Sequence, residues 1–355
     1  MINHNNKVFS IEDLSVPKLS TNDVLLQPRV GILSSRTEVI FDKSFIYSSP
    51  MDVVTGLNMS QAMLNSNQNP VFCRFLPLDK KTQALKTFHS NPNFWYSVGS
   101  RIEDLELIEY LFSTNQLPSD AYFNISVDVA HGATQDLLGI YNLYRSRSWC
   151  RALMSGTVAT PEAAAYVFSN GKACTHIRVG IGPGSACSTR IVTGCGYPNL
   201  SAVYEIYTYM KESYSDKNFS IIADGGIKTT GDIAKYLSAG ADGVMLGNML
   251  SSLKESEGWI YPLFGKPYKY YRGQASAAFQ KARRGKINGV PEGVQSKNKI
   301  YITKSFSTFE KETRSAIAST ISYLGLKQIS DLKPENVDFI KITQNGFNES
   351  RPHLN

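Results

Sequence analysis

A cysteine in a glycine-rich loop is the residue of this chain best suited to covalent chemistry. Gly182, Pro183 and Gly184 leave little room for side chains, so backbone N–H groups can turn toward a ligand. Cys187 follows among small and hydroxylated residues, and Arg190 adds a positive charge three residues later. Nearby cations and backbone dipoles favour the thiolate, which is the reactive form of cysteine. The pattern predicts an activated nucleophile, and the alternative is a buried structural thiol.

The elements that must position this loop follow a regular rhythm of short apolar runs and longer helical patterns. Eight runs read as strands, at 45–50, 70–75, 94–99, 122–130, 150–158, 176–181, 220–223 and 243–247. Helical patterns are clearest at 58–66, 102–115, 161–169 and 230–239. Strands that alternate with helices indicate parallel βαβ units, and eight such units close a (β/α)8 TIM barrel.

An open doubly wound sheet is the alternative, but the short strands and the placement of the polar residues favour the barrel. Polar or glycine-containing clusters follow the runs at 51–52, 73–74, 128–132, 156–157, 182–189, 224–226 and 247–248. The carboxyl ends of barrel strands carry the active site, and the loops after strands seven and eight commonly bind phosphate. The clusters at 224–226 and 247–248 lie in those two loops.

Length and composition exclude several classes of protein. The 355 residues suit one large barrel or two domains, and 42% hydrophobic residues indicate a folded chain. The net charge of +7 comes without a Lys/Arg stripe interleaved with aromatics, which favours anionic small molecules over nucleic acid. Five cysteines without zinc or disulfide spacing, no signal peptide and no apolar run of membrane length predict a reduced, cytoplasmic compartment and no membrane.

We expect one catalytic domain over residues 1–355. A polar N-terminal arm covers 1–20, a mobile flap covers 272–293, and a loose tail covers 345–355. A helical pattern at 306–324 precedes that tail.

Eight segments resemble, in order, the IMP dehydrogenase/GMP reductase family. They are NDVLLQP, SSPMDVVTG, DVAHG, GIGPGSACSTR, IIADGGI, GVMLGNML, YRGQAS and PEGV, and they run from about residue 20 to about 325. The resemblance implies a (β/α)8 barrel, in agreement with the strand count. It also implies that Cys187 attacks the purine C2 of a nucleoside 5′-monophosphate to form a covalent intermediate.

The resemblance assigns roles residue by residue. The catalytic group is Cys187, with Thr189 and Glu292 as a proton relay. The substrate-binding residues are Ser185, Asp224, Gly225, Gly226, Gly247, Asn248, Tyr271, Gly273, Gln274 and Gly293. The cofactor-binding residues are Ser35, Arg36, Arg74, Asp128, Val129, Ala130 and Gly182. The backbone carbonyls expected around a potassium ion are those of Gly182, Gly184, Cys187 and Arg190.

Four features favour the reductase branch of the family. There is no room for the CBS modules that typical dehydrogenases insert, and the fifteen residues 277–291 contain no tyrosine to match the dehydrogenase Arg-Tyr pair. Tyr197 precedes a proline, as in reductases, and LSSR at 33–36 resembles the reductase segment that contacts the 2′-phosphate of the cofactor. We therefore predict that NADPH reduces GMP to IMP and ammonia in a homotetramer.

Other residues keep the alternatives open. SSPMD, YRG and PEGV are more similar to dehydrogenases, so oxidation of IMP by NAD is the alternative, and an inactive nucleotide-binding homologue is a third hypothesis. Thr157, Asn248 and Gln274 depart from both branches of the family. These departures put a deoxynucleotide or a modified purine monophosphate among the candidate substrates.

Overall fold

Eight parallel strands form the centre of the fold. The computed structural model describes residues 17–101, 103–263, 266–287, 289–296, 300–302 and 304–350. The strands are β1 (Val24–Leu26), β2 (Ile46–Ser48), β3 (Val71–Phe72), β4 (Trp95–Val98), β5 (Phe123–Val127), β6 (Cys150–Met154), β7 (His176–Val179), β8 (Ser220–Asp224), β9 (Gly243–Leu246), β10 (Tyr261–Leu263), β11 (Lys266–Lys269), β12 (Ile300–Tyr301) and β13 (Phe339–Lys341). The eight predicted strands correspond to β2–β9, and all eight are confirmed.

The sheet closes into a barrel. Its strand order is β2-β9-β8-β7-β6-β5-β4-β3, and every pair is parallel. The two end strands meet where Tyr47 of β2 bridges Asn69, just before β3. The Asn69 N–H donates to the Ile46 carbonyl at 3.0 Å, and the Ser48 N–H donates to the Asn69 carbonyl at 3.1 Å. This closure confirms the barrel over the open sheet.

Helices follow the strands and cover the barrel. They are α1 (Leu57–Asn65), α2 (Leu78–Phe88), α3 (Glu103–Ser113), α4 (Gln135–Arg145), α5 (Pro161–Phe168), α6 (Thr189–Thr193), α7 (Asn199–Ser213), α8 (Thr230–Ser238), α9 (Asn248–Ser251), α10 (Ala277–Arg284), α11 (Phe306–Tyr323) and α12 (Gln344–Glu349). The predicted helices match α1, α3, α5, α8 and α11. The cap of α8 is Thr229, whose hydroxyl accepts the Asp232 N–H at 3.1 Å while the Asp232 carboxylate accepts the Thr229 N–H at 2.9 Å.

The core has two parts. A large cluster packs between the strands and the surrounding helices. A smaller cluster fills the barrel interior with Tyr47, Val71, Trp95, Met154, Ile222 and Met245. Because side chains alternate along a strand, β2, β3, β4, β6, β8 and β9 contribute to both parts.

Additional elements surround the barrel. Strand β1 pairs antiparallel with β13, and β10, β11 and β12 form a separate antiparallel sheet. Strand β3 leads into α2 and β4 with no inserted module, as predicted. No helix in the part of the chain that the structure describes is both long and apolar enough to cross a membrane.

The predicted end segments have mixed outcomes. The loose tail predicted at 345–355 is wrong over residues 345–349, because these belong to α12, which begins at Gln344 under a Thr343 cap; residues 351–355 lie outside the described residues. Residues 1–16 of the predicted arm also lie outside them, while the Leu19 N–H donates to the Ser201 hydroxyl on α7 at 2.7 Å. The flap at 272–293 contains α10, and its mobility and the single-domain division stay predictions.

Candidate active site

A large cavity opens at the carboxyl ends of the barrel strands. Its volume is about 1080 Å³, and nearly all of the predicted site residues line it. The exceptions are Ser35, Arg36 and Arg190. The barrel thus brings together segments that are more than two hundred residues apart in the sequence.

The cysteine loop forms one wall of this cavity. Cys187 is half-buried, and its N–H donates to the Gly184 carbonyl at 2.9 Å. Its thiol donates to the Thr189 hydroxyl, with 3.2 Å between Sγ and Oγ1. The loop therefore presents the thiol beside a hydroxyl that can exchange a proton with it.

Arg190 holds the loop from behind rather than facing the cavity. Its Nε donates to the Ile181 carbonyl at 2.9 Å, and its guanidinium also donates to the Tyr197 carbonyl. A Cβ added at Gly182 or Gly196 would lie 2.6 Å from the Arg190 Cγ, so both positions need glycine. The Arg190 side chain is thus a brace of the loop, and the potassium ion at the loop carbonyls stays a prediction.

The end of the flap pairs with the cysteine loop. The Ser188 N–H donates to the Glu292 carbonyl at 2.8 Å, and the Val294 N–H donates to the Ala186 carbonyl at 2.9 Å. Cys187 and Gly293 form an antiparallel bridge between these bonds. Backbone pairing thus fixes Glu292 next to the cysteine loop, and Glu292 lines the same cavity.

Two glycine turns form a neighbouring wall. Gly225 and Gly226 have φ values of +83° and +76°, which disfavour any side chain. A Cβ at Gly225 would lie 3.0 Å from the Pro183 Cγ and 3.1 Å from the Gly184 nitrogen, so this turn lies directly against the cysteine loop. Gly247 is the cap of α9, and Asn248 is the exposed first residue of that helix. These turns leave backbone N–H groups available to an anion.

Tyr271 closes this wall with a neutral hydroxyl. Burial raises the pKa of Tyr271 to about 12, and a hydrogen bond with Ser185 partly offsets that rise. Its hydroxyl lies 3.4 Å from the Met51 Sδ, and a Cβ at Gly247 would lie 2.9 Å from it. The protonated hydroxyl is therefore placed among the residues predicted to bind the phosphate.

Two of the residues that depart from the family pattern donate hydrogen bonds to backbone carbonyls. The Gln274 side-chain amide donates to the Pro50 carbonyl, and the Thr157 hydroxyl donates to the Ala130 carbonyl. The first bond ties the start of the flap to the loop after β2, and the second fixes the loop after β5. Both residues therefore help to shape the cavity wall that they line.

The loop after β5 carries a carboxylate with unused hydrogen-bonding capacity. Asp128 is buried, and its Oδ2 has no hydrogen-bond partner within the described residues, although the Arg74 Nε lies 3.6 Å away. The Arg74 guanidinium also donates to the Asp128 carbonyl at 3.2 Å. A buried acceptor without a donor fits a hydroxyl-bearing ligand such as a ribose. Val129 and Ala130 line the same side of the cavity.

Arg178 is a cavity residue for which sequence reasoning proposed no role. It lies on β7, and its guanidinium donates to Asp224 at 2.8 Å and to Asp128 at 3.1 Å. The signal in the sequence was a charged residue inside an otherwise apolar strand. The strand ends approach closely here, because a Cβ at Gly180 would lie 2.0 Å from the Asp224 carbonyl oxygen.

The structure does not bring Ser35 and Arg36 to the cavity of the same chain. Both are exposed on a short 3₁₀ turn, Arg36–Glu38, with Ser35 as its cap. The Arg36 guanidinium donates to the Ser319 hydroxyl on α11 at 3.1 Å. Their proposed contact with a cofactor phosphate stays a prediction.

The chain is similar to known proteins over most of its length. Residues 14–353 match the family described as IMP dehydrogenase / GMP reductase domain. The chain is 33% identical to GMP reductase 2 of Mus musculus, over 92% of this chain and 95% of that protein. It is 33% identical to inosine-5′-monophosphate dehydrogenase of Borreliella burgdorferi and 34% identical to that of Chlorobaculum tepidum. It spans only 66% and 47% of the lengths of those two proteins. The chain therefore belongs to the IMP dehydrogenase/GMP reductase family.

Proposed function

We propose that this protein catalyses the NADPH-dependent reductive deamination of GMP, or of a closely related purine monophosphate, to IMP and ammonia. The observation that carries the proposal is the short flap. It reaches the cysteine loop through a single eight-residue helix, α10, and residues 277–291 contain no tyrosine to activate a hydrolytic water. Near-complete coverage of a GMP reductase by this chain supports the same branch.

The covalent chemistry starts at Cys187. Its thiolate forms a bond to C2 of the purine, and the C2–N bond to the 2-amino group breaks with release of ammonia. A hydride from NADPH then reduces C2 of the resulting thioimidate. The C2–S bond breaks, the thiolate is regenerated and IMP leaves.

Proton transfer falls to Thr189 and Glu292. The thiol proton must leave Sγ, and the departing amine must gain a proton. The Thr189 hydroxyl lies 3.2 Å from Sγ, but a hydroxyl is a weak acid alone, so a carboxylate is needed to pass the proton. Glu292 is held at the cysteine loop by the Ser188 hydrogen bond to its carbonyl.

The other cavity residues are assigned to parts of the two ligands according to where they line the cavity. Asp128, Arg74, Val129, Ala130 and Gly182 would hold NADPH, with the unpartnered Asp128 Oδ2 facing a ribose hydroxyl. The substrate phosphate would bind at the backbone N–H groups of the two glycine turns and at Ser185 and Tyr271. The purine would lie beside Gln274, between Gly273 and Gly293, with the ribose at Asp224.

A cation, four copies of the chain and a cytoplasmic location complete the proposal. Potassium would bind at the carbonyls of the loop that contains Cys187. Replacement of potassium by sodium during the assay tests the cation, and analytical ultracentrifugation tests the homotetramer.

The alternative reaction is oxidation of IMP by NAD. The similarity to the Borreliella burgdorferi dehydrogenase and the segments SSPMD and PEGV favour it. An inactive nucleotide-binding homologue is the third hypothesis, and the three family catalytic residue types present in one cavity speak against it.

Absorbance at 340 nm separates these reactions. GMP with NADPH should give a falling signal, whereas turnover only with IMP and NAD would overturn the proposal. Parallel assays with dGMP test the substrate class. Cys187→Ala should lower kcat by at least about 10⁴-fold, in line with other catalytic nucleophiles. Cys195→Ala is the matched control, because Cys195 is exposed and does not line the cavity. Nucleotide binding with no effect of Cys187→Ala on any residual signal would favour the inactive homologue.

A further inference from the structure

Arg178 joins two carboxylates at the top of the barrel interior. Only 7% of Arg178 is exposed, and its two donating nitrogens contact acids from two different segments. Nε contacts the Asp224 Oδ2 at the end of β8, and a terminal nitrogen contacts the Asp128 Oδ1 just after β5. The guanidinium is planar and its donors have a fixed geometry, so the two carboxylates are held relative to one another.

The electrostatics maintain this bridge at neutral pH. Burial opposes the charge of Arg178, but Asp224 and Asp128 together raise its pKa above the ordinary value. Burial also raises the pKa of Asp224, and Arg178 partly offsets that rise. Because one cation serves two acids, a change at either carboxylate is felt by the other.

The two carboxylates face different ligands. Under the proposed function, Asp224 holds the ribose of the nucleotide and Asp128 holds the ribose of the dinucleotide. Each uses one oxygen on Arg178, and the Asp128 Oδ2 has no hydrogen-bond donor within the described residues. A ligand that orients one carboxylate therefore also orients the guanidinium and, through it, the other carboxylate.

We propose that Arg178 is a positioning residue that couples the binding of the nucleotide to the binding of the dinucleotide. This inference rests on the proposed function for the assignment of the two ligands. The first ligand to bind orders the Asp224–Arg178–Asp128 bridge, and its binding free energy includes the entropic cost of that ordering. The second ligand binds to a bridge that is already ordered, so it binds more tightly. The coupling is reciprocal, because each ligand must change the affinity of the other by the same factor.

Binding titrations with an unreactive pair test the coupling. GMP is titrated calorimetrically into the full-length protein alone and at saturating NADP⁺, and the reverse titration checks reciprocity. The wild-type protein should bind GMP about fivefold or more tightly in the presence of NADP⁺. In Arg178→Lys, which keeps the charge but not the planar fork, that factor should fall toward one. Each single-ligand Kd should change far less than the coupling factor.

Matched variants separate the bridge from other sources of coupling. Arg151→Lys changes an exposed arginine on β6 that lies outside the cavity, and it should keep the wild-type coupling factor. Direct contact between the two bound ligands would still couple them in Arg178→Lys. An unchanged coupling factor in that variant therefore overturns the inference. If Arg178→Lys does not fold, as judged by circular dichroism, Arg178→Gln replaces it.

The wild-type result separates the two proposals. If both ligands bind without affecting each other, Arg178 does not couple them and the inference fails while the proposed function stands. If neither GMP nor NADP⁺ binds, the proposed function itself fails.

Discussion

His176 and Arg178 lie two positions apart on β7 and both point into the barrel. At the lower position, the His176 ring meets the edge of Trp95, with 4.6 Å between the ring centroids, and burial lowers the pKa of His176 to about 4. At the upper position, Arg178 stays charged between two carboxylates. One strand thus keeps a neutral base at one end of the barrel interior and an ion cluster at the other.

The difference reflects which neighbours are present at each level. Trp95 and Met154 of the apolar interior cluster lie near His176, and the attraction of Asp242 for a proton there only partly offsets the effect of burial. The neighbours of Arg178 include the acids that terminate or follow β8 and β5. Buried charge is tolerated only where it is paired. We therefore expect the lower layer to serve stability and the upper layer to take part in the proposed chemistry.

Removal of the upper cation should have the largest effect on stability. Arg178→Met leaves two buried carboxylates without their shared partner, and we expect a loss of about 3–5 kcal/mol in the free energy of unfolding at neutral pH. The loss should shrink as the pH falls, because protonation of Asp224 removes one unpaired charge. Urea unfolding at pH 7.5 and pH 5 measures it. Arg151→Met is the exposed control, and an equal loss in both variants would contradict the contrast between buried and surface charge.

The buried histidine of the lower layer should make the free energy of unfolding fall as the pH falls. The pKa of His176 is lowered to about 4 in the folded state, so between about pH 6.5 and pH 4 the unfolded chain binds a proton that the folded chain does not. Stability should therefore fall in this window by at most about 1.4 kcal/mol per pH unit. His176→Gln should remove that part of the slope and leave the slope above pH 7 unchanged. Identical slopes in both proteins below pH 6.5 would show that His176 is not held neutral.

The smallest effect on the free energy of unfolding is expected when a side chain of the lower layer changes in shape but not in charge. Met154 is fully buried in the interior cluster, and Met154→Leu conserves its volume and its apolar character. We expect a loss below about 1.5 kcal/mol and an unchanged kcat. Met154→Ala, which leaves a cavity, should cost about 2–5 kcal/mol. A large loss of kcat in Met154→Leu would mean that the lower layer takes part in the chemistry.

Local signals in the sequence predicted the elements well. Strand β7 was expected at 176–181, and helix α5 was expected from Pro161, which is its first residue. Hydrophobic period, capping residues and glycines act over a few residues, so a single sequence carries them. Helix α12 was missed because it is short and polar, and β13 before it forms only by pairing with β1 at the other end of the chain.

The sequence by itself determined the barrel and the family and predicted Cys187 as the nucleophile, since each depends on local pattern or on motif. Only the tertiary structure decided that Arg190 braces the loop, that Arg36 contacts α11, and that Arg178 joins Asp128 to Asp224. The physical reason is that an arginine side chain has the same charge wherever it lies. Its role depends on which oxygens the closed barrel places within about 3 Å of it, which is a hydrogen-bond distance.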